Sequence, residues 1–155
     1  MTDGNISFVE VEESLTGRYT QTARSGRHTL TIDEPVAVGG DDSGPGPYEY
    51  LLTSLGACTC MTLRMYAEKK NLPLTRVRVR LGHRKIHAKD CADCVSREGK
   101  VDEISCEIIL EGNLTEAQRQ QLLEIAGRCP VHRSLTTETK IRLRLGWLVA
   151  PGDTD

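Results

Sequence analysis

The sequence predicts an α+β fold, and three observations carry that expectation. Stretches of alternating polarity lie on both sides of a long helix-forming run, that run is apolar on most of its surface, and no βαβ regularity links the parts. The run is GPGPYEYLLTSLGACTCMTLRMYAEKKNL, residues 44–72, which opens as a Gly/Pro loop that cannot be helical. From Tyr48 to Lys69 there is no Pro and a single Gly, Gly56, while Leu, Met, Ala and Glu dominate. Leu51, Leu55, Cys58, Thr62 and Met65 share one helical face, and Leu52, Met61, Leu63 and Tyr66 widen it. Such a helix is expected to be central and covered on more than one face. It is too short, and too charged at Glu68, Lys69 and Lys70, to span a membrane.

The other elements follow in chain order. Ser7 to Glu13 reads as a strand, Arg18 to Ala23 as a short polar one, and His28 to Ile32 as a third, after a Ser25-Gly26 turn. Asp33 to Pro47 is a loop rich in Gly, Pro and Asp. Asn71 and Pro73 stop the helix. Val77, Val79 and Leu81 alternate with Arg76, Arg78 and Arg80, which gives a strand with one wet face. Ile104, Cys106, Ile108 and Leu110 pair with it across a polar segment, residues 82–99. Thr115-x-x-Gln118 is a capping box for a second helix that Gly127 ends, and Pro130 starts a short third one. Ile141, Leu143, Leu145, Trp147 and Val149 alternate with basic residues as a last strand. One domain over residues 1–155 is expected, with residues 1–5 and 151–155 frayed.

Composition excludes several classes. Lys and Arg number 20 against 22 acids, so the net charge of -2 offers no basic footprint for nucleic acid or an anionic membrane. Aromatics are 4%, too few for a base-stacking platform. The N-terminus lacks the basic and apolar regions of a secretory signal. Six cysteines without such a signal point to a reducing, cytoplasmic setting and to thiol chemistry or metal.

Two cysteines stand out by setting. Cys58 lies mid-helix among apolar residues, where it is either a buried core thiol or a reactive one. Cys129 precedes Pro130 at the N-cap of the short helix, where free N–H groups favour a thiolate and Arg128, His132 and Arg133 add positive charge. Cys60 lies about 200° around the helix from Cys58 and reads as a packing residue. Cys106, in an alternating strand, reads as core. A second constellation is His83-x3-His87-x3-Cys91-x2-Cys94, whose ligand types suit tetrahedral zinc. It also reads as a redox-active dithiol, or as a polar hairpin tip with no role in chemistry. The full zinc-finger spacing is absent.

GPGPYEYLLTSLGACTCMTLRMYAEKK, followed about 70 residues later by RCPVHRSL, resembles the OsmC/organic hydroperoxide resistance family. TGRYTQT, GRHTLTIDEPVAVGG and the last strand are similar to that family too, so the likeness covers nearly the whole chain. The resemblance implies an intertwined homodimer in which two long central helices are wrapped by antiparallel sheets from both chains. It implies a thiol peroxidase that reduces organic hydroperoxides to alcohols in oxidative-stress defence. It needs no bound cofactor and is reset by an external dithiol or lipoyl-type reductant. Cys58 matches the peroxidatic cysteine and Cys129 the resolving one. An Arg of the first β-hairpin, Arg18 or Arg27, is expected to activate Cys58, oriented by an acid at the helix start. The usual helix start there is Pro-Glu-Glu or Pro-Glu-Gln. Here Tyr48 takes the first acidic position and Glu49 stands one residue later, a turn of about 100°. The chain therefore looks like a divergent branch. The alternative function is a non-peroxidase thiol or metal-binding module using His83, His87, Cys91 and Cys94.

Overall fold

The computed structural model describes residues 8–146. Its elements are β1 (Glu10–Glu13), β2 (Gln21–Ser25), β3 (His28–Ile32), α1 (Pro47–Lys69), β4 (Leu74–His87), β5 (Lys100–Gly112), α2 (Glu116–Ala126) and α3 (Pro130–Thr136), with short 3-10 turns at Val36–Val38 and Ala88–Asp90. This is an α+β fold with two antiparallel sheets, β1-β2-β3 and β4-β5.

Local chemistry fixes α1 at both ends. Pro47 takes the first helical position, where its missing N–H costs nothing. The Glu49 carboxylate accepts the Gly46 N–H at 2.7 Å. At the other end Asn71 adopts φ 51°. Leu72 N–H reaches Ala67 C=O at 2.9 Å and Asn71 N–H reaches Glu68 C=O at 3.1 Å, a Schellman close with Asn in the left-handed position. For α2 the predicted capping box is present: Gln118 N–H donates to Thr115 Oγ at 3.2 Å, and Thr115 N–H to Gln118 Oε1 at 2.9 Å.

The core forms where α1, α2 and the start of β4 meet. Leu63, Ala67, Leu74, Leu122 and Ala126 are its buried residues, with Tyr66, Val77, Ile108 and Leu110 against them. Two arginines pin the helices to the β4–β5 ribbon. Arg64 donates to the carbonyls of Leu74 and Thr75 at 2.7 and 3.0 Å, and Arg119 to those of Leu110 and Gly112 at 2.8 and 3.3 Å. Gly112, at φ 136°, lets the chain pass the Pro73 carbonyl, which would stand 2.0 Å from any Cβ there.

Three expectations need correction. The buried line of α1 is Leu55, Thr59, Leu63 and Ala67, not the face through Cys58, Thr62 and Met65. Met61 and Met65 are 64% and 68% exposed, so within one chain the helix is covered on one side only. The reason is that β1–β3 form an arm packing little on α1, which leaves β4–β5, α2 and α3 as its cover. Second, β4 runs past Leu81 to His87, because its pairing with β5 continues from Arg76↔Glu111 to His87↔Lys100. Third, residues 140–146 are not a strand: a strand needs a paired edge, and none meets them among the described residues. Trp147 and Val149 lie outside the described residues.

The joint between arm and helix is organised by Asp33, which is 1% exposed. Its carboxylate accepts the N–H groups of Glu34 (2.8 Å), Asp41 (3.2 Å) and Ser43 (3.1 Å) and the hydroxyls of Ser43 (2.8 Å) and Thr20 (3.3 Å). Burial pushes this carboxyl up, but the Ser43 hydroxyl and the three N–H donors outweigh it and hold it at about 2, below the ordinary 3.8. A depressed carboxyl contributes stability that is present above its unfolded value and lost as pH falls through the folded one. The Asp41 and Ser43 amide signals should therefore titrate with a midpoint near pH 2 rather than 3.8, and Asp33→Asn should remove that transition. A midpoint near 3.8 in NMR titration would contradict the latch.

Candidate active site

Cys58 lies in the middle of α1, half-buried, and Cys129 is the N-cap of α3, with no exposed surface. The packing of α1 against α3 brings the two thiols together, and both are free. The Cys58 S–H faces the Cys129 sulfur as a donor. The N–H groups of Val131 and His132 turn toward Cys129 without closing a strict capping bond, and the Thr59 hydroxyl faces it as well. Thr59 Oγ1 also lies 2.8 Å from the Leu55 carbonyl, so its one O–H proton serves either that oxygen or the Cys129 sulfur.

These contacts divide the pair unequally. Burial pushes the Cys129 thiol up, but the Cys58 S–H, the His132 N–H and the Thr59 hydroxyl overcome it, and its pKa falls below the ordinary thiol value. Burial and the neighbouring Cys129 sulfur push Cys58 up, against lesser help from Val131 N–H and the Thr62 hydroxyl. Within one chain the surroundings thus favour a thiolate at Cys129 over one at Cys58.

The other expected site residues are placed elsewhere. The Arg18 guanidinium lies 5.0 Å from the Tyr19 ring centroid, beside Gly39, and is not among the groups acting on Cys58. Arg27 sits exposed in the two-residue β2–β3 turn, after Gly26 at φ 57°. Glu49 caps its own helix at Gly46. Cys60 is half-buried and Cys106 is exposed rather than core, and burial raises both thiols. Cys106 opens into a cavity of about 370 Å³ between α1, β5, α2 and α3, lined by Leu55, Thr59, Asp102, Ile104, His132 and Leu135 among others. That is the size of a small-molecule site.

His83 and His87 do not join Cys91 and Cys94. Among the described residues the one group with metal-ligand proximity is Cys91, Asp93 and Cys94, and the two cysteines form a disulfide. His83 Nε2–H instead donates to Asp102 Oδ1 at 2.8 Å, and its ring stacks on Tyr48 at 4.2 Å between centroids. Lys85 shares the same Asp102 oxygen at 2.8 Å, and Lys85 with His83 holds that carboxyl below its ordinary value. Asp102 and Thr59 were not singled out in the sequence, and Thr62 and His132 were named only as part of the apolar face and as positive charge near Cys129. A signal existed for the first: β4 residues two apart share a face, so Leu81, His83 and Lys85 all look toward α1.

Comparison with known proteins agrees with this architecture. A family model described as OsmC-like protein matches residues 40–144. Among curated sequences none matches. Solved structures with the same fold include an OsmC-like protein from Mycoplasma pneumoniae, at 20% identity and TM-score 0.65, covering 85% of this chain and 88% of that one. An organic hydroperoxide resistance protein OsmC from Legionella pneumophila gives 14% identity and TM-score 0.63, covering 84% and 89%. One from Elizabethkingia anophelis gives 16% identity and TM-score 0.59, covering 86% and 91%. No described helix is long and apolar enough to cross a membrane. With the family model reaching from the Gly39-Gly40 loop through both cysteines to Arg144, this chain belongs to the OsmC-like protein family.

Proposed function

We propose that the protein is a thiol-dependent peroxidase that reduces organic hydroperoxides to alcohols with Cys58 and Cys129. The observation that carries the reading is the pairing of a mid-helix thiol with a second thiol at a helix N-cap, inside a family whose solved relatives include proteins named for organic hydroperoxide resistance. In this reading the Cys58 thiolate attacks the peroxide, the O–O bond breaks, and the alkoxide leaves as the alcohol after taking up a proton. Cys58 is left as a sulfenic acid. The Cys129 thiolate, favoured by its surroundings, attacks that sulfur and forms the disulfide, and the displaced hydroxide takes a proton from the medium and leaves as water. An external dithiol resets the pair by exchange. The apolar lining of the neighbouring cavity favours an organic over an inorganic peroxide. The cytoplasm is the compartment in which a dithiol pool supplies that reset. The test is turnover of cumene hydroperoxide or a fatty-acid hydroperoxide with several dithiols. No turnover with any reductant would reject the reading.

The same reading requires a homodimer. The surroundings of Cys58 in the single chain push its thiol up, so a thiolate there calls for a nearby cation, and Arg18 sits on an arm that packs little on its own α1. Met61 and Met65 are uncovered on α1, and Ile141, Leu143 and Leu145 are 83%, 95% and 92% exposed in alternation. The chain exposes 12879 Å², where a compact monomer of 17.1 kDa would expose roughly 7,800 Å². Covering such surface is favourable by about 25 cal/mol per Å². In this reading the arm and the 140–146 segment pair with a second copy, across an interface of more than about 2,000 Å². Analytical ultracentrifugation at micromolar concentration should give a dimer. A monomer would overturn this assembly.

A further inference from the structure

Residues 88–99 cap the β4–β5 hairpin, six residues along β4 from the Leu81–Cys106 pair and so about 20 Å beyond that level. The cap has a fixed base. Ala88 is 2% exposed and its N–H meets the Gly99 carbonyl at 2.9 Å, while Cys91 N–H meets the Ala88 carbonyl at 3.2 Å. On that base Cys91 and Cys94 are joined, with Cα atoms 5.4 Å apart. Asp93 Oδ1 lies 3.3 Å from the Cys91 sulfur. A disulfide sulfur has no proton to donate, so no hydrogen bond joins these two electron-rich atoms. The Cys91 and Cys94 sulfurs and an Asp93 oxygen all lie within 4.8 Å of one another. Donors around a tetrahedral zinc ion stand about 3.8 Å apart, so closing this group onto a cation needs little movement.

We propose that the cap is a binding site for a soft divalent cation, zinc above all, held by Cys91, Asp93 and Cys94 when the two cysteines are reduced. Two thiolates and a carboxylate are a donor set that zinc accepts, and water completes the coordination. His83 is not part of it, being held by Asp102 and Tyr48. The disulfide and the cation are alternative occupants of the same two sulfurs. An external dithiol opens the bond by exchange: its own two sulfurs become the new disulfide, and Cys91 and Cys94 leave as thiols. Both thiols then give their protons to the medium as the cation binds. The site does not depend on the peroxidase reading.

The probe is cobalt(II), added to the full-length protein after reduction with a dithiol and anaerobic desalting. The expected result is one cobalt per chain, with a thiolate-to-metal charge-transfer band that zinc displaces. Cys91→Ser/Cys94→Ser should lose the band while keeping the far-UV circular dichroism of the parent, and the oxidised protein should not develop it. Asp93→Asn should weaken binding by at least about tenfold. No band at equimolar cobalt, or a band that survives Cys91→Ser/Cys94→Ser, overturns the site. Unchanged affinity in Asp93→Asn overturns the three-donor assignment.

Discussion

Replacing Cys58 with Ser is expected to abolish peroxide reduction while leaving the fold nearly intact. The hydroxyl is close to the thiol in size, and the position is half-buried on α1 rather than in the Leu63–Leu122 core. A serine hydroxyl is a far weaker nucleophile at neutral pH, and losing the attacking group of such a pair costs on the order of ten-thousandfold or more. Turnover of an organic hydroperoxide by the variant, with thermal unfolding alongside, measures both halves of the expectation. Appreciable residual turnover would take the nucleophile away from Cys58.

Replacing Cys129 with Ser should have a different signature. The first attack still occurs, so one equivalent of peroxide is consumed, but catalysis stops there. Without its partner Cys58 halts as sulfenic acid or goes on to sulfinic acid, a gain of roughly 16 or 32 mass units on its peptide. The change also removes the sulfur toward which the Val131 and His132 N–H groups turn, so the groups that favour a thiolate there lose their acceptor. A stable Cys58 disulfide to Cys60 or Cys106 after peroxide treatment would assign resolution to one of those thiols instead.

Local signals were the legible ones. Pro47, the Asn71–Pro73 stop, the Thr115–Gln118 box and Pro130 each act through a neighbouring N–H or carbonyl, and α1, α2 and α3 begin and end within a residue or two of where these place them. Position marked Cys58 mid-helix and Cys129 before Pro130 as candidates and left a bland role open for each; that the two act together was implied by the family resemblance. What surrounds them was not legible. Thr59 reaches Cys129 only because α3 folds back on α1, and Asp102 meets His83 only through the β4–β5 register, here the one of Lys85↔Asp102. The buried face of α1 was misread for the same reason: periodicity marks an apolar surface, and the rest of the fold decides which part of it is covered. Over residues 140–146 the expected strand is unpaired in the single chain, because alternation describes a strand's faces and says nothing of its edges, which need a partner.

Met61 and Met65 lie one helical turn apart on the open side of α1. A thioether takes up one oxygen from a peroxide and becomes a polar sulfoxide, so an apolar stripe turns into one that resists burial. On the proposed peroxidase reading the protein thus keeps oxidisable atoms on the face its own chain leaves bare. Pairing of that face shields the thioethers, and oxidation of the thioethers disfavours the pairing. Oxidation and association compete for the same two sulfur atoms, and whichever happens first in a newly made chain hinders the other.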